Sequence, residues 1–241
     1  MTPAETLARA EALHRGGNLP EAERLYRQIL VTDPTNFPAR HLLAVLLAQG
    51  ARNEEALAMF IAALALNPNA AATFFNQGNL LEAMGRCEDA LVSFDKALSL
   101  KPDAAEAWNN RGKTLRNLRR PDEALANFDR ALALRPDFTE AHNNRGNALR
   151  DLDRQEEALA SFDRALALNP GLAVALFNRG CALCDLQRAD EAITNFERAV
   201  SLEPSYTEVL EKMGFTFVLS PARWNEGFDW NKGWESDKEK N

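Results

Sequence analysis

Asn76, Asn110, Asn144 and Asn178 are the residues whose type and spacing most suggest chemistry, each 34 residues from the next. A primary amide presents two N–H donors and one acceptor oxygen, which suits two-point contact with a peptide backbone of any sequence. Asparagine is a mediocre helix former, so a regular row of it asks for a reason. Asn109 and Asn143 precede two members of the row and are expected to widen the polar strip, with Asn79 and Asn147 beside it. Lys113, Arg116 and Arg150 follow one to two helical turns on, near Asp151 and Asp185, while Glu106 and Glu140 lie nearer the helix starts. A basic cluster of this kind can grip a carboxylate. A solvated face with salt bridges across turns is the simpler account. Duplication is the competing explanation of the row itself, because residues 108–136 and 142–170 are so alike that the asparagines read equally as copied passengers.

Other chemistry is thinner. Cys181 and Cys184 form one C-x-x-C, but redox pairs of this spacing need the first thiol at a helix N-terminus, where the dipole lowers its pKa. These two fall in mid-helix and read as small packing residues. A zinc site would need two further ligands, and His14, His41 and His142 are scattered along the chain. The sequence holds no nucleophile elbow, phosphate loop or metalloprotease helix. Paired carboxylates such as Glu156 and Glu157 read as surface charges. The expectation is a chain with no catalytic constellation, no cofactor and no metal.

The elements that must position the asparagines follow from the same period. Pro34, Pro68, Pro102, Pro136, Pro170 and Pro204 are spaced by 34 residues, and a fixed period of this size marks a stacked-repeat architecture. Each unit reads as two amphipathic helices. In the fourth, the first helix is expected over roughly 104–118, with Ala107, Trp108, Arg111, Gly112 and Leu115 at helical spacing. The second is expected over 121–134. Pro121 opens it where a missing N–H costs nothing, and Ala124, Leu125, Phe128, Ala131 and Leu132 form the apolar stripe. Pro136 ends it, since proline clashes with the turn before it and drives its predecessor out of helical space. Glycine costs a helix about 1 kcal/mol against alanine. Its return at Gly78, Gly112, Gly146, Gly180 and Gly214 implies close helix packing each time. Gly112 and Ala124 are the expected points of closest approach, with Phe128 and Ala131 directed at the next unit.

The positions Trp108, Gly112, Ala124, Phe128, Ala131 and Pro136 resemble the tetratricopeptide repeat pattern. The third unit matches through Phe74, Gly78, Leu81, Ala90, Phe94, Ala97 and Pro102. The fifth shows Gly146, Leu149, Ala158, Phe162, Ala165 and Pro170, and the sixth Gly180, Leu183, Ala192, Phe196, Ala199 and Pro204. The second has Ala44 where glycine is usual, and the first, with Ala10, Leu13, Ala22, Tyr26, Ile29 and Pro34, is the most worn. The resemblance covers residues 3–219. It implies an all-α fold, a right-handed α-solenoid (superhelix) of antiparallel helix pairs. The repeats are 3–36, 37–70, 71–104, 105–138, 139–172 and 173–206, then a C-terminal helix 206–219. Residues 220–241 are left as an aromatic cap and a disordered tail. In this family the groove lined by first helices takes an extended peptide or a partner helix, so the resemblance implies a protein partner in a groove formed by the residues above. The asparagine row is similar to the ladder in the superhelix of O-linked N-acetylglucosamine transferases. Family members that clamp a chaperone's C-terminus use lysines and arginines over three repeats, which Asn79, Asn110, Lys113 and Arg116 match in part.

Composition narrows the rest. Net charge is −7 with no basic stripe, which disfavours nucleic acid. Three cysteines fit a reducing compartment better than a disulfide framework. The N-terminus shows no secretory signal and no apolar run approaches the ~20 residues that span a bilayer, so a cytoplasmic chain without membrane contact is expected. The leading expectation is a non-enzymatic interaction module. Its rival is the truncated or split substrate-binding arm of a glycosyltransferase similar to the O-linked N-acetylglucosamine enzymes, on the strength of Trp224, Gly227, Phe228, Trp230 and Trp234. The spacing after Gly227 departs from that pattern. A third is a scaffold that self-associates through open repeat ends, with the aromatics near Trp224 as its patch.

Overall fold

A computed structural model describes residues 2–214. These residues form thirteen helices in two compact units, residues 2–136 and residues 137–214. The first unit holds α1 (Pro3–Arg15), α2 (Leu19–Thr32), α3 (Phe37–Gln49), α4 (Asn53–Leu66), α5 (Ala71–Ala83), α6 (Cys87–Leu100), α7 (Ala105–Asn117) and α8 (Pro121–Leu134). The second holds α9 (Thr139–Asp151), α10 (Gln155–Leu168), α11 (Ala173–Asp185), α12 (Ala189–Leu202) and α13 (Tyr206–Lys212). Within each unit the helices pack as neighbouring pairs, α7 on α8 and α9 on α10 for example, and successive pairs stack. The fold is an all-α solenoid of helix pairs. The aromatic segment 220–234 and the tail expected after it lie outside the described residues.

The period is built from fixed parts. A first helix of 13 residues, a turn of three, a second helix of 14 and a turn of four make up the 34. The short turn is the same motif six times. Its middle residue is left-handed: Gly17 (φ 80°), Ala51 (φ 56°), Gly85 (φ 74°), Arg119 (φ 58°), Asp153 (φ 56°) and Gln187 (φ 59°). In the fourth repeat the Arg120 N–H reaches back to the Leu115 carbonyl at 3.0 Å and the Arg119 N–H to the Arg116 carbonyl at 3.0 Å. These paired bonds satisfy carbonyls that the ending helix leaves open. The longer turn obeys its proline. Asn67, Lys101, Arg135 and Asn169, each before a proline, all take φ near −137°, the extended region to which proline confines its predecessor. At the start of most second helices an arginine forks onto the glutamate or aspartate three residues on, as Arg120 Nε does with Glu123 Oε1 at 2.6 Å.

The core is one contact, repeated. Phe94, Phe128, Phe162 and Phe196 are fully buried, and each ring lies over a glycine of its own repeat's first helix. A Cβ added at Gly78 or Gly112 would stand 2.7 Å from the ring of Phe94 or Phe128, and one at Gly146 or Gly180 would stand 2.5 Å from the ring of Phe162 or Phe196. The close helix packing expected at Gly112 is present, and its partner is the ring of Phe128 in the same repeat: the glycine makes room for it. The first two repeats carry Ala10 and Ala44 there, and their rings pack beside histidines instead, Tyr26 with its centroid 6.0 Å from His14 and Phe60 6.0 Å from His41. A correction concerns the C-terminal helix expected over 206–219. It ends at Lys212, and Gly214 sits just past that end at φ 80°. Gly214 therefore terminates a helix where its counterparts lie inside one.

Two predictions follow from this packing. Gly112→Ala gains about 1 kcal/mol in helix propensity but overpacks Phe128, at a cost of about 1–3 kcal/mol, so the urea midpoint is expected to fall; a midpoint that rises would show that the ring has room to move. Gln187→Gly relieves a left-handed Cβ at the same turn position that Gly17 and Gly85 occupy. It is expected to raise stability by about 0.5–1 kcal/mol after the added freedom of the unfolded chain is subtracted, with an unchanged or lowered midpoint counting against turn strain.

Candidate functional site

The asparagines lie on first helices, and first helices of adjacent repeats touch: α5 with α7 in one unit and α9 with α11 in the other. The side chains along these seams are joined by hydrogen bonds that span 31 or 35 residues. Asn110 Nδ2 donates to Asn79 Oδ1 at 2.8 Å, and its own Oδ1 accepts from Asn109 Nδ2 at 3.1 Å. Asn178 Nδ2 donates to Asn143 Oδ1 at 3.0 Å. Asn76, Asn110, Asn144 and Asn178 are all half-buried. The bonds fix the amide planes without exhausting them. Asn110 keeps one N–H and one oxygen lone pair, and Asn178 keeps one N–H and its oxygen. An amide held in this way still offers two-point contact, with little orientation left to lose on binding.

The neighbours expected to widen the strip lie deeper than the sequence suggested. Asn109 has no exposed surface, and Asn143 and Asn147 are buried at 6% and 9% exposure. Asn109 and Asn143 sit underneath the row and orient it, the first through Asn110 and the second through Asn178. The reason is the helical angle: residues adjacent in sequence point about 100° apart, so a position one before the groove turns toward the seam between helices. His41 holds the same register in the second repeat and is likewise engaged across the seam, its Nδ1 2.9 Å from Thr73 Oγ1.

The basic residues already have acidic neighbours. Arg150 Nε donates to Asp185 Oδ2 at 3.0 Å, and Lys113 Nζ lies 4.0 Å from Glu82, which also accepts from Asn117 Nδ2 at 3.4 Å. Arg116 and Asn79 are half-buried on the same seams. A partner carboxylate would compete with these bonds. Between first and second helices, Arg111 Nε donates to Asp95 of the preceding repeat at 2.7 Å while its Nη1 donates to Asn127 at 3.1 Å, and Arg179 grips Asp163 at 2.7 Å.

Sequence reasoning missed one feature. A cavity of about 200 Å³ opens between α5, α6 and α7, lined by Ala71, Ala72, Phe75, Ala97, Ala104 and Ala107 with Lys101 and Glu106 at the rim. The signal was present but weak. Phe37 stands at the register of Ala71, and Leu172 at that of Ala104, so two positions that are alanine here are each bulky in a sibling joint.

Redox and metal chemistry find little support. Cys181 and Cys184 lie inside α11, and burial pushes their thiols up to about 11 and about 12. Nearly all of each is protonated at neutral pH, and the thiol is a poor nucleophile. Among the described residues no cluster of three or more His, Cys, Asp or Glu is arranged to hold a metal ion, and no helix is long and apolar enough to cross a membrane. Native protein treated with iodoacetamide at pH 7.5 is therefore expected to label at Cys87, whose thiol is less desolvated than the other two, well before Cys181 or Cys184. Fast labelling of the pair, or a disulfide between them, would contradict the burial argument.

Tetratricopeptide repeat family models match residues 13–74, 109–173 and 173–206, and a model described as TPR repeat matches 78–118. A search of curated protein sequences finds no match. Among solved structures the chain is similar to PilW, a type IV pilus biogenesis factor, with a TM-score of 0.77 and 23% identity over 87% of this chain and 97% of that one. It is similar to YrrB, described as a TPR protein with an unusual peptide-binding site, with a TM-score of 0.63 and 25% identity over 78% of this chain and 97% of that one. MamA of Desulfovibrio magneticus RS-1 gives 0.62 and 22% over 69% and 96%. The likeness to PilW and MamA is one of fold alone. With four matched stretches covering most of its length, the chain belongs to the tetratricopeptide repeat family.

Proposed function

We propose that the chain is a non-enzymatic protein-interaction module that holds an extended segment of a partner protein along its first helices. The observation that carries this reading is the state of two members of the row: Asn110 and Asn178 are oriented by their neighbours, half-exposed, and keep bonding capacity to spare. Each unit supplies its own length of strip, Asn76 and Asn110 in one, Asn144 and Asn178 in the other. Such a surface reads backbone amides and is tolerant of sequence, so affinity comes from many weak contacts and single substitutions act modestly. The peptide-binding site named for YrrB is consistent with this use of the fold.

The test compares the wild-type chain with Asn76→Ala, Asn110→Ala, Asn144→Ala and Asn178→Ala combined, after circular dichroism shows both folded. Partners retained from host lysate are identified by mass spectrometry and remeasured as purified proteins. Each asparagine is expected to contribute on the order of 1 kcal/mol, about fivefold in Kd, so the combined variant loses the partner in the pull-down. Equal retention by both chains would make the row a relic of duplication and sink the groove reading.

A further inference from the structure

The cavity between α5, α6 and α7 is the strongest feature that the asparagine row does not absorb. At about 200 Å³ it falls below the roughly 300–1,000 Å³ of small-molecule and cofactor sites. It is the size of one side chain. Its wall is almost wholly apolar: five alanines and Phe75, whose half-exposed ring also packs at 6.1 Å on the ring of Phe94. Ala97 and Ala107 are buried, Ala71 and Ala104 half-buried and Ala72 exposed, so the cavity is open to solvent on one side. Ala71, Ala72, Phe75 and Ala107 belong to the same helices as Asn76, Asn79 and Asn110, which sets the cavity beside the strip.

The rim is charged asymmetrically. Glu106 is neutralised by Arg135, whose Nη1 lies 2.6 Å from its Oε1. Lys101 is exposed and forms no ion pair among the described residues, though its charge joins a backbone hydrogen bond and the charge of Arg135 in lowering the Glu106 carboxyl. Two cations against one carboxylate leave the rim net positive. The corresponding joint after the second repeat has Phe37 in place of Ala71, and the one after the fifth has Leu172 in place of Ala104.

We propose that this cavity is a socket for a single apolar side chain of the partner segment, a leucine, isoleucine or methionine, with an aspartate or glutamate of the same segment within two residues of it meeting Lys101. The proposal deepens the interaction reading and rests on it. The asparagine row grips backbone without regard to sequence; the socket and Lys101 supply the preference. An apolar side chain entering it displaces water from alanine and phenylalanine surface, while the exposed ion pair adds little affinity but penalises a basic neighbour.

The experiment uses the full chain and an array of immobilised decapeptides of Gly and Ser. Each carries at two central positions one of Leu, Ser or Lys followed by Asp, Asn or Lys. The wild-type chain is expected to retain Leu-Asp peptides at least fivefold above Ser-Asp and Leu-Lys. Ala104→Leu, which places in the socket the residue the chain itself uses at 172, should abolish the leucine preference. Lys101→Glu should move the preference from Leu-Asp to Leu-Lys. The second variant is an exposed surface change and keeps the test valid if the first fails to fold. Retention independent of the central residues, or unaltered by both variants, overturns the socket, and so does no retention of any peptide. The combined asparagine variant separates the two failures. Peptides lost with the asparagines but blind to Ala104→Leu and Lys101→Glu leave the groove standing without the socket. Peptides lost with Ala104→Leu but indifferent to the asparagines leave the socket standing and remove the row.

Discussion

Four of the repeats depend on a phenyl ring packed against a helix that has no side chain at the point of contact. In Gly78–Phe94, Gly112–Phe128, Gly146–Phe162 and Gly180–Phe196 the ring comes closer than any Cβ would allow. That approach sets the distance between the two helices of a repeat, and the turn of three residues sets their direction. With both fixed, the faces that remain are determined. The first helices present one edge to their neighbours, and the polar side chains on that edge come within hydrogen-bonding distance of their counterparts one repeat away.

In the proposed reading those polar seams carry two tasks at once. Asn110 to Asn79 and Asn178 to Asn143 hold successive first helices together, and the same amides are what the surface can offer to a partner. A net contribution of about 1 kcal/mol per bond is modest for stability. The larger benefit is orientation, since an amide already held by a neighbour loses less freedom when it binds. Of the buried asparagines under the row, Asn143 takes part in one of these cross-seam bonds, while Asn109 orients Asn110 within its own helix. The cations Lys113 and Arg150 are likewise spent on Glu82 and Asp185, which leaves Lys101 as a differently placed charge.

The fold was legible because its signals repeat. Six prolines and four buried glycines in phase outweigh any single ambiguous propensity, and the second helix of the fourth repeat begins and ends where its proline and its apolar stripe place it. The depth of individual side chains was less legible. Asn109 and Asn110 are the same residue type one position apart, yet about 100° of rotation buries one and half-exposes the other. Periodicity places a residue on a face but not at a depth, because depth depends on what the next repeat brings. The cavity beside Phe75 was hidden for the opposite reason: it is made by what is missing at Ala71 and Ala104, and alanine in a helix raises no question. Gly214 misled because it keeps the register of its siblings while α13 stops two residues before it, and no phenylalanine at the matching distance follows it in the sequence.

The seam bonds have a consequence for how the chain comes together and apart. None of those described reaches further than 35 residues along the sequence. The entropy of closing a loop grows only with the logarithm of its length, so each joint forms at nearly the same small cost, and contact order stays low however many repeats are added. Stability accumulates joint by joint, as in a one-dimensional array in which each member senses only its two neighbours. A lesion at one ring loosens the joints on either side of it and little beyond, and opening proceeds as local melting that can begin at whichever joint is weakest.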